Sequence, residues 1–331
     1  MARLVVGKLP HAALRRLLAK APGGPGVIVG PALGEDACAL DTRGQVLVAS
    51  TDPITFTSEN LGYYAVHVNA NDVATMGARP RWFLASLMLP DGFDSRKVAG
   101  IFEGLAAACR SIGVSLAGGH TEVTSGVTRP VMVGTMLGTV SRRKLVRPER
   151  AREGDVVLLT KRLAVEGTAI IARERRRRAE RILGMRRAAR ARSMLFRPGI
   201  SVVPEAMAAV ETAPVHAMHD PTEGGLISAV RELSFVTGLG VEIHEDRIPV
   251  YEQTKEICKD FGLDPLGLIA SGSLLIVASP RSAKRISMAI RRKHIECAEI
   301  GRIAGTRLRL LKGGKARPLP PAGVDEITRV L

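Results

Sequence analysis

Short β-like runs alternating with helical patterns constrain this chain more than any single motif. The runs QVLVAS (45–50), RWFLASLML (81–89), GVSLAGG (113–119), RPVMVGTMLGTV (129–140) and DVVLLT (155–160) carry the aliphatic residues that a pleated, half-buried strand needs. Helical spacing occupies 59–77, 94–112 and a long stretch near 164–194. The same mixture continues through helical patterns at 225–238, 251–262 and 282–294 and apolar runs at 273–279 and 296–303. Strands and helices mixed in both halves predict an α/β fold built of α+β layers.

The segment VRPERAREGD (146–155) is charged, holds one proline and precedes a strand. It divides the 331 residues into two domains, 1–150 and 151–331, each long enough for its own core. KGGKARPLPPAG (312–323) reads as a surface loop, and MARLVVGKLPHAALRRLLAK (1–20) as a first amphipathic helix, since charges interrupt any signal-peptide core. No run of about 18 uncharged apolar residues predicts a membrane span. Cys38, Cys109, Cys258 and Cys297 form no CxxC pair, which suits a reducing, cytoplasmic setting.

The net charge of +16 is unevenly spread. RERRRRAERILGMRRAARAR (173–192) holds ten arginines against two glutamates. Phosphate neutralisation could use such a run, but no aromatic stacking platform or zinc-finger spacing accompanies it, which weighs against nucleic acid. A solvated arginine-rich helix pairing with acids elsewhere, or an insertion that docks a protein partner, accounts for it as well.

One helix carries a puzzle. In LGYYAVHVNANDVATMG, Leu61, Ala65, Val68, Asp72 and Met76 share a face that is apolar except for one carboxylate. An isolated buried carboxylate is costly, so Asp72 needs a partner, a metal or a proton. Asn69 and Asn71 add neutral oxygen donors, and hard oxygens without thiolate or imidazole neighbours suit Mg²⁺. Asp36 and Asp52 stand where turns or strand ends fall, and each alone reads as a turn former or helix cap.

Mg²⁺ usually works beside phosphates, and two glycine pairs could cradle them. Gly118 and Gly119 in SLAGGHTEVT follow a strand, and Gly224 and Gly225 in DPTEGGLISAV open a helix whose N-terminus attracts anions. His120 stands inside the first glycine loop as a candidate base or ligand, although a lone histidine is more often structural. No GxxxxGK[ST] or strand-following GxGxxG is present, which excludes a P-loop and a dinucleotide fold.

The ordered motifs GEDACAL, STDP, NANDVATMGARP, GGHTEVT, DPTEGGL and ASGSLLI resemble the PurM-like (AIR synthetase-related) superfamily over about residues 25 to 305. Within it the pattern is most similar to HypE-like and AIR synthase-related proteins. The resemblance implies an N-terminal sheet that forms an inter-subunit β-barrel in a homodimer, a C-terminal α/β domain, and binding of ATP with Mg²⁺. It also implies activation of a substrate oxygen by phosphorylation. Carried over, Asp36, Asp52, Asn71 and Asp72 would serve the metal. Gly118, Gly119 and Thr121, with Asp220, Thr222, Gly224 and Gly225 of the C-terminal domain, would contact the nucleotide. Asp72 and His120 would act in catalysis.

Two departures stand out. The sequence ends EITRVL, without the terminal cysteine that HypE modifies, and His120 replaces an acid common in related loops. A small-molecule kinase of the thiamine-monophosphate kinase type, or a non-catalytic scaffold that docks a protein or nucleic acid, is therefore the alternative.

Overall fold

The computed structural model describes Arg15, residues 25–30, 37–55, Thr57 and 59–331. The N-terminal helix expected over 1–20 and Asp36 lie outside the described residues, Arg15 apart. The chain divides into two compact units, with the break in sequence between Leu145 and Val146.

The first unit is a six-stranded sheet in the order β1 (Val27–Val29), β2 (Cys38–Asp41), β3 (Val46–Ile54), β6 (Val131–Val140), β4 (Arg79–Pro90) and β5 (Ser115–Thr124). Its ladders are antiparallel except β4–β5, which run parallel. A parallel pair needs a crossover, and here it is α2 (Ser95–Ser111), capped by the Asp94 carboxylate accepting the Arg96 N–H at 2.9 Å. Alternation along β3 and β6 turns Val46, Val48 and Ser50 with Met132, Gly134 and Met136 to one face.

Helix α1 (Leu61–Thr75) lies on that face. The single apolar stripe expected for it is corrected: apart from Tyr63 and Val68, the helix is buried all round. The reason is close approach on two sides. A Cβ at Gly134 would stand 2.5 Å from Asn69 Nδ2, and one at Gly138 would strike Val73. On the opposite side, a Cβ at Gly62 would stand 2.5 Å from the Leu105 nitrogen of α2. Glycine therefore lets α1 sit between sheet and helix at backbone distance. Among the described residues no helix of this unit covers the other sheet face, where Trp82 is 40% exposed; Leu116 and Val123 are exposed because they stand on the edge strand.

The second unit is a seven-stranded sheet ordered β13 (Lys315–Pro318), β12 (Leu308–Lys312), β9 (Val241–His244), β11 (Cys297–Ile303), β7 (Val156–Thr160), β10 (Leu275–Ala278) and β8 (Ala217–His219). Every residue of β7 and β10 is buried, as the unbroken apolar runs VVLLT and LIVA require. Among the described residues seven α-helices accompany it: α3 (Val165–Glu174), α4 (Arg176–Leu183), α5 (Met185–Ser193), α6 (Val203–Thr212), α7 (Gly225–Thr237), α8 (Glu252–Phe261) and α9 (Pro280–Arg292).

Two expectations change here. The long helix near 164–194 is three helices, broken where Arg175 leaves helical geometry and where Gly184 takes φ +73°. Arg175 instead donates to the Val330 carbonyl from its Nε at 2.9 Å. The loop expected over 312–323 begins as a hairpin, with Lys312 paired to Lys315 across Gly313 and Gly314. Both glycines have positive φ, +52° and +77°, the geometry of a tight two-residue turn.

Candidate functional site

Two rungs join β3 to α1. Ser50 Oγ donates to Asp72 Oδ2 at 2.6 Å, and the Asp52 backbone N–H donates to Asn69 Oδ1 at 2.9 Å. Asn69 and Asp72 are one helical turn apart, and Ser50 and Asp52 are successive residues on one strand face, so the rungs adjoin. Asp72 is only 6% exposed, and Asp52 is half-buried. A carboxylate taken this far from water is normally held by a charge-assisted bond, which Ser50 provides.

Asn69, expected to add a neutral ligand, is a strut. Its carbonyl holds the Asp52 N–H, and its amide nitrogen donates to Ala65 O at 2.8 Å. Asn71 is fully buried, and helical geometry turns it about 100° from Asp72. Among the described residues no group of three or more His, Cys, Asp or Glu side chains could hold a metal ion. Two carboxylates nevertheless fit Mg²⁺, which commonly takes one or two protein carboxylates and fills its remaining positions with water and phosphate oxygens.

The glycine loop expected at 118–121 is a strand instead. Gly118, Gly119, His120 and Thr121 all lie in β5, the exposed edge of the sheet. Gly119 has φ +150°, and a Cβ there would strike the Ala85 carbonyl of β4, so this glycine permits close backbone approach. Register places Gly119, Ala85, Gly134 and Asp52 on one row across the sheet. At roughly 4.8 Å per strand, Gly119 is about 14 Å from Asp52. His120 pairs with Glu122 at 3.4 Å on that exposed strand and makes no contact with Asp72.

In the second unit, Asp220 is buried, Thr222 is half-buried and Gly224–Gly225 open α7 as expected. The N–H groups expected to await an anion are engaged. Gly224 N–H donates to Asp325 Oδ2 at 2.6 Å and Gly225 N–H to Thr222 O at 3.0 Å. Gly225 has φ +58°, and a Cβ there would stand 2.6 Å from Leu268 O. The pair thus serves packing and an internal carboxylate. Asp325 accepts from Ile327 N–H at 2.8 Å and Ile269 N–H at 3.3 Å as well.

Residues 34–140 match the family described as AIR synthase related protein, N-terminal domain, and residues 152–311 match its C-terminal domain. The chain belongs to the AIR synthase related family. Among relatives of this AIR synthase related chain, carbamoyl dehydratase HypE of Azotobacter vinelandii is 32% identical over 254 residues, 75% of this chain and 71% of that protein. Hydrogenase expression/formation protein HupE of Azotobacter chroococcum mcd 1 is 31% identical over 280 residues, covering 82% and 78%. The solved structure of hydrogenase maturation protein HypE in complex with ATP superposes with a TM-score of 0.73 at 24% identity, over 90% of this chain and 92% of that one. It supports the PurM-like two-unit fold.

Three residues of the AIR synthase related chain escaped the motif reading. Ser50 gives only the weak signal of a hydroxyl at a strand end. Asp325 shows as a cap before EITR, without a hint of its contact 101 residues upstream. Glu166, 5% exposed at the start of α3, gives no signal at all. Burial pushes the Glu166 carboxyl up to about 7, opposed by Ser271 hydrogen bonds and reinforced by the charge of Asp325.

A folded value above the unfolded 4.5 means stability that is full below about pH 4.5 and lost as pH rises through about 7. The loss approaches about 3 kcal/mol. Urea unfolding of wild type and Glu166→Gln between pH 4 and 8 should show this slope in the wild type and its disappearance in the variant. Equal slopes would remove Glu166 as the cause.

Proposed function

We propose that this chain is an ATP- and Mg²⁺-dependent enzyme that activates a substrate oxygen by phosphorylation, in the manner of a HypE-like dehydratase. The observation that carries the reading is Asp72, a buried carboxylate held by Ser50 on the rung beside Asp52. The name carbamoyl dehydratase on relatives above 30% identity and the ATP complex of HypE support the reaction class and the nucleotide.

Asp52 and Asp72 would hold Mg²⁺, with Asp36 and Asn71 as further donors. The bound nucleotide supplies the phosphoryl group that turns a substrate oxygen into a leaving group. The chain's own contribution is fixed charge and position, since phosphoryl transfer asks little covalent chemistry of a protein. Ser50 orients the Asp72 carboxylate, and Asn69 fixes the backbone carrying Asp52. Gly118 and Thr121 on β5 would be the first unit's contacts to the nucleotide. Gly224 and Gly225 are not proposed as phosphate donors.

We place the enzyme in the cytoplasm, where its four free thiols stay reduced. A homodimer is proposed through the sheet face opposite α1, which leaves Trp82 exposed. The deciding measurement is thermal shift with ATP, Mg²⁺ and both together. Ligand at 100 times its Kd stabilises by about 2.7 kcal/mol, so both together should raise the melting temperature by several degrees. No shift with the pair, at millimolar ATP, overturns the reading.

A further inference from the structure

The arginines of 173–192 fall into two sets. One set is matched. Arg178 donates to Asp260 Oδ2 at 2.6 Å and lies 4.0 Å over the Phe261 ring, and Arg187 donates to Glu256 Oε1 at 2.5 Å. Arg176 and Arg192 converge on Glu180 at 3.0 and 3.1 Å, Arg175 holds the Val330 carbonyl, and Arg173 lies over Phe196. These side chains turn toward α8 or into the helical layer, where Ala179, Leu183, Ala188 and Ala191 join the core.

The other set is unmatched. Arg177 and Arg181 on α4, with Arg186 and Arg190 on α5, are exposed and have no partner among the described residues. Each pair is spaced i, i+4, so like charges adjoin on one ridge of each helix, an arrangement that opposes helix stability. Between the pairs stands Met185, 76% exposed, the most exposed large apolar side chain described in the molecule, with exposed Ala189 one turn on. Neighbouring arginines have found acids, yet these four flank an uncovered apolar residue in sequence.

We propose that the α4–α5 hairpin is a docking surface for an acidic protein segment, one that sets carboxylates against these four arginines and an apolar side chain against Met185. The argument is charge complementarity together with an apolar centre. Arg and Met are enriched at protein interfaces, and a guanidinium fork matches a carboxylate in two bonds. A nucleic acid fits less well, because phosphate gives Met185 nothing. Each nearby aromatic ring, Phe196 and Phe261, already has a guanidinium over one face, Arg173 or Arg178, with which a stacking base would compete. This inference stands independently of the proposed enzyme activity.

The test uses the full chain and three labelled probes at 50 mM NaCl: a helical peptide with glutamates flanking a leucine on one face, the same peptide with glutamine, and a 20-base-pair DNA duplex. Fluorescence anisotropy should show the glutamate peptide binding at least tenfold tighter than the glutamine peptide. The R177E/R181E/R186E/R190E variant should weaken it at least tenfold, and Met185→Ser about threefold. The neutral R177A/R181A/R186A/R190A variant should melt no lower than wild type, since it removes only repulsion. Absence of glutamate-peptide binding, unchanged binding in the charge-reversed variant, or tighter DNA binding that the same variant abolishes would each overturn the proposal. A neutral variant that melts several degrees lower would do so too, by making the arginines structural.

Discussion

Asp72→Asn should lower ATP turnover by on the order of 10²- to 10³-fold, the loss typical when one preorganised electrostatic contact is removed from a charge-developing reaction, without lowering stability. The amide keeps an acceptor for the Ser50 hydroxyl at the place where Asp72 Oδ2 now accepts it at 2.6 Å. What disappears is the negative charge. At 6% exposure that charge is expensive to bury, so its removal should leave the melting temperature unchanged or slightly raised. Activity and stability moving apart is the signature of a carboxylate kept for function. Calorimetry beside a phosphate-release assay decides it: turnover within threefold of wild type would end the catalytic assignment of Asp72. A large drop in both would make the carboxylate a packing element.

Lys161→Met should cost about 3–5 kcal/mol, the penalty for breaking a buried ion pair from one side. Lys161 Nζ stands 2.7 Å from Glu205 Oε1, with side chains 8% and 0% exposed. Lys161 also donates to the Ser201 carbonyl at 2.5 Å, and Thr160 Oγ donates to the same glutamate oxygen at 3.2 Å. Removing the ammonium leaves Glu205 with one weak hydrogen bond and no counter-charge. For a unit of this size the loss corresponds to roughly 10 °C in melting temperature. The double variant K161M/E205L should recover most of it, because an apolar pair can replace a buried ion pair at little cost. A double variant as unstable as the single would locate the damage in packing around α6 instead.

Much of the fold could be read before any coordinates. The strands near 45–50, 81–89, 129–140 and 155–160 emerge within a few residues of their expected places, because an alternating or wholly apolar run has few other ways to satisfy itself. Helix α1 was legible, but its all-round burial was not. That depends on Gly134 and Gly138 two strands away in the chain, and periodicity within a helix carries no record of what approaches from outside. The break at Gly184 was masked by the arginines around it, whose helix propensity made 164–194 read as continuous. At the site, the sequence pointed to Asp72 through its misfit with an apolar stripe, whereas Ser50 and Asp325 act through contacts 22 and 101 residues distant. Gly119 and Gly225 have a structural reason of their own, since each stands against a neighbouring backbone carbonyl. A glycine pair marks backbone proximity, and the neighbouring backbone can be the protein's own as readily as a ligand's phosphate.

Strand β5 bears on how the fold resists pairing with other chains. Its ten residues have a neighbour on one side only among the described residues, so a row of backbone donors and acceptors faces outward. An edge of that length invites other chains to add strands to it. Its composition counters this: Gly118 and Gly119 are poor strand formers, and Glu122 puts a charge on the edge. The protection of this edge against templated aggregation is thus written in the same SLAGGHTEVT segment that reads as a glycine loop.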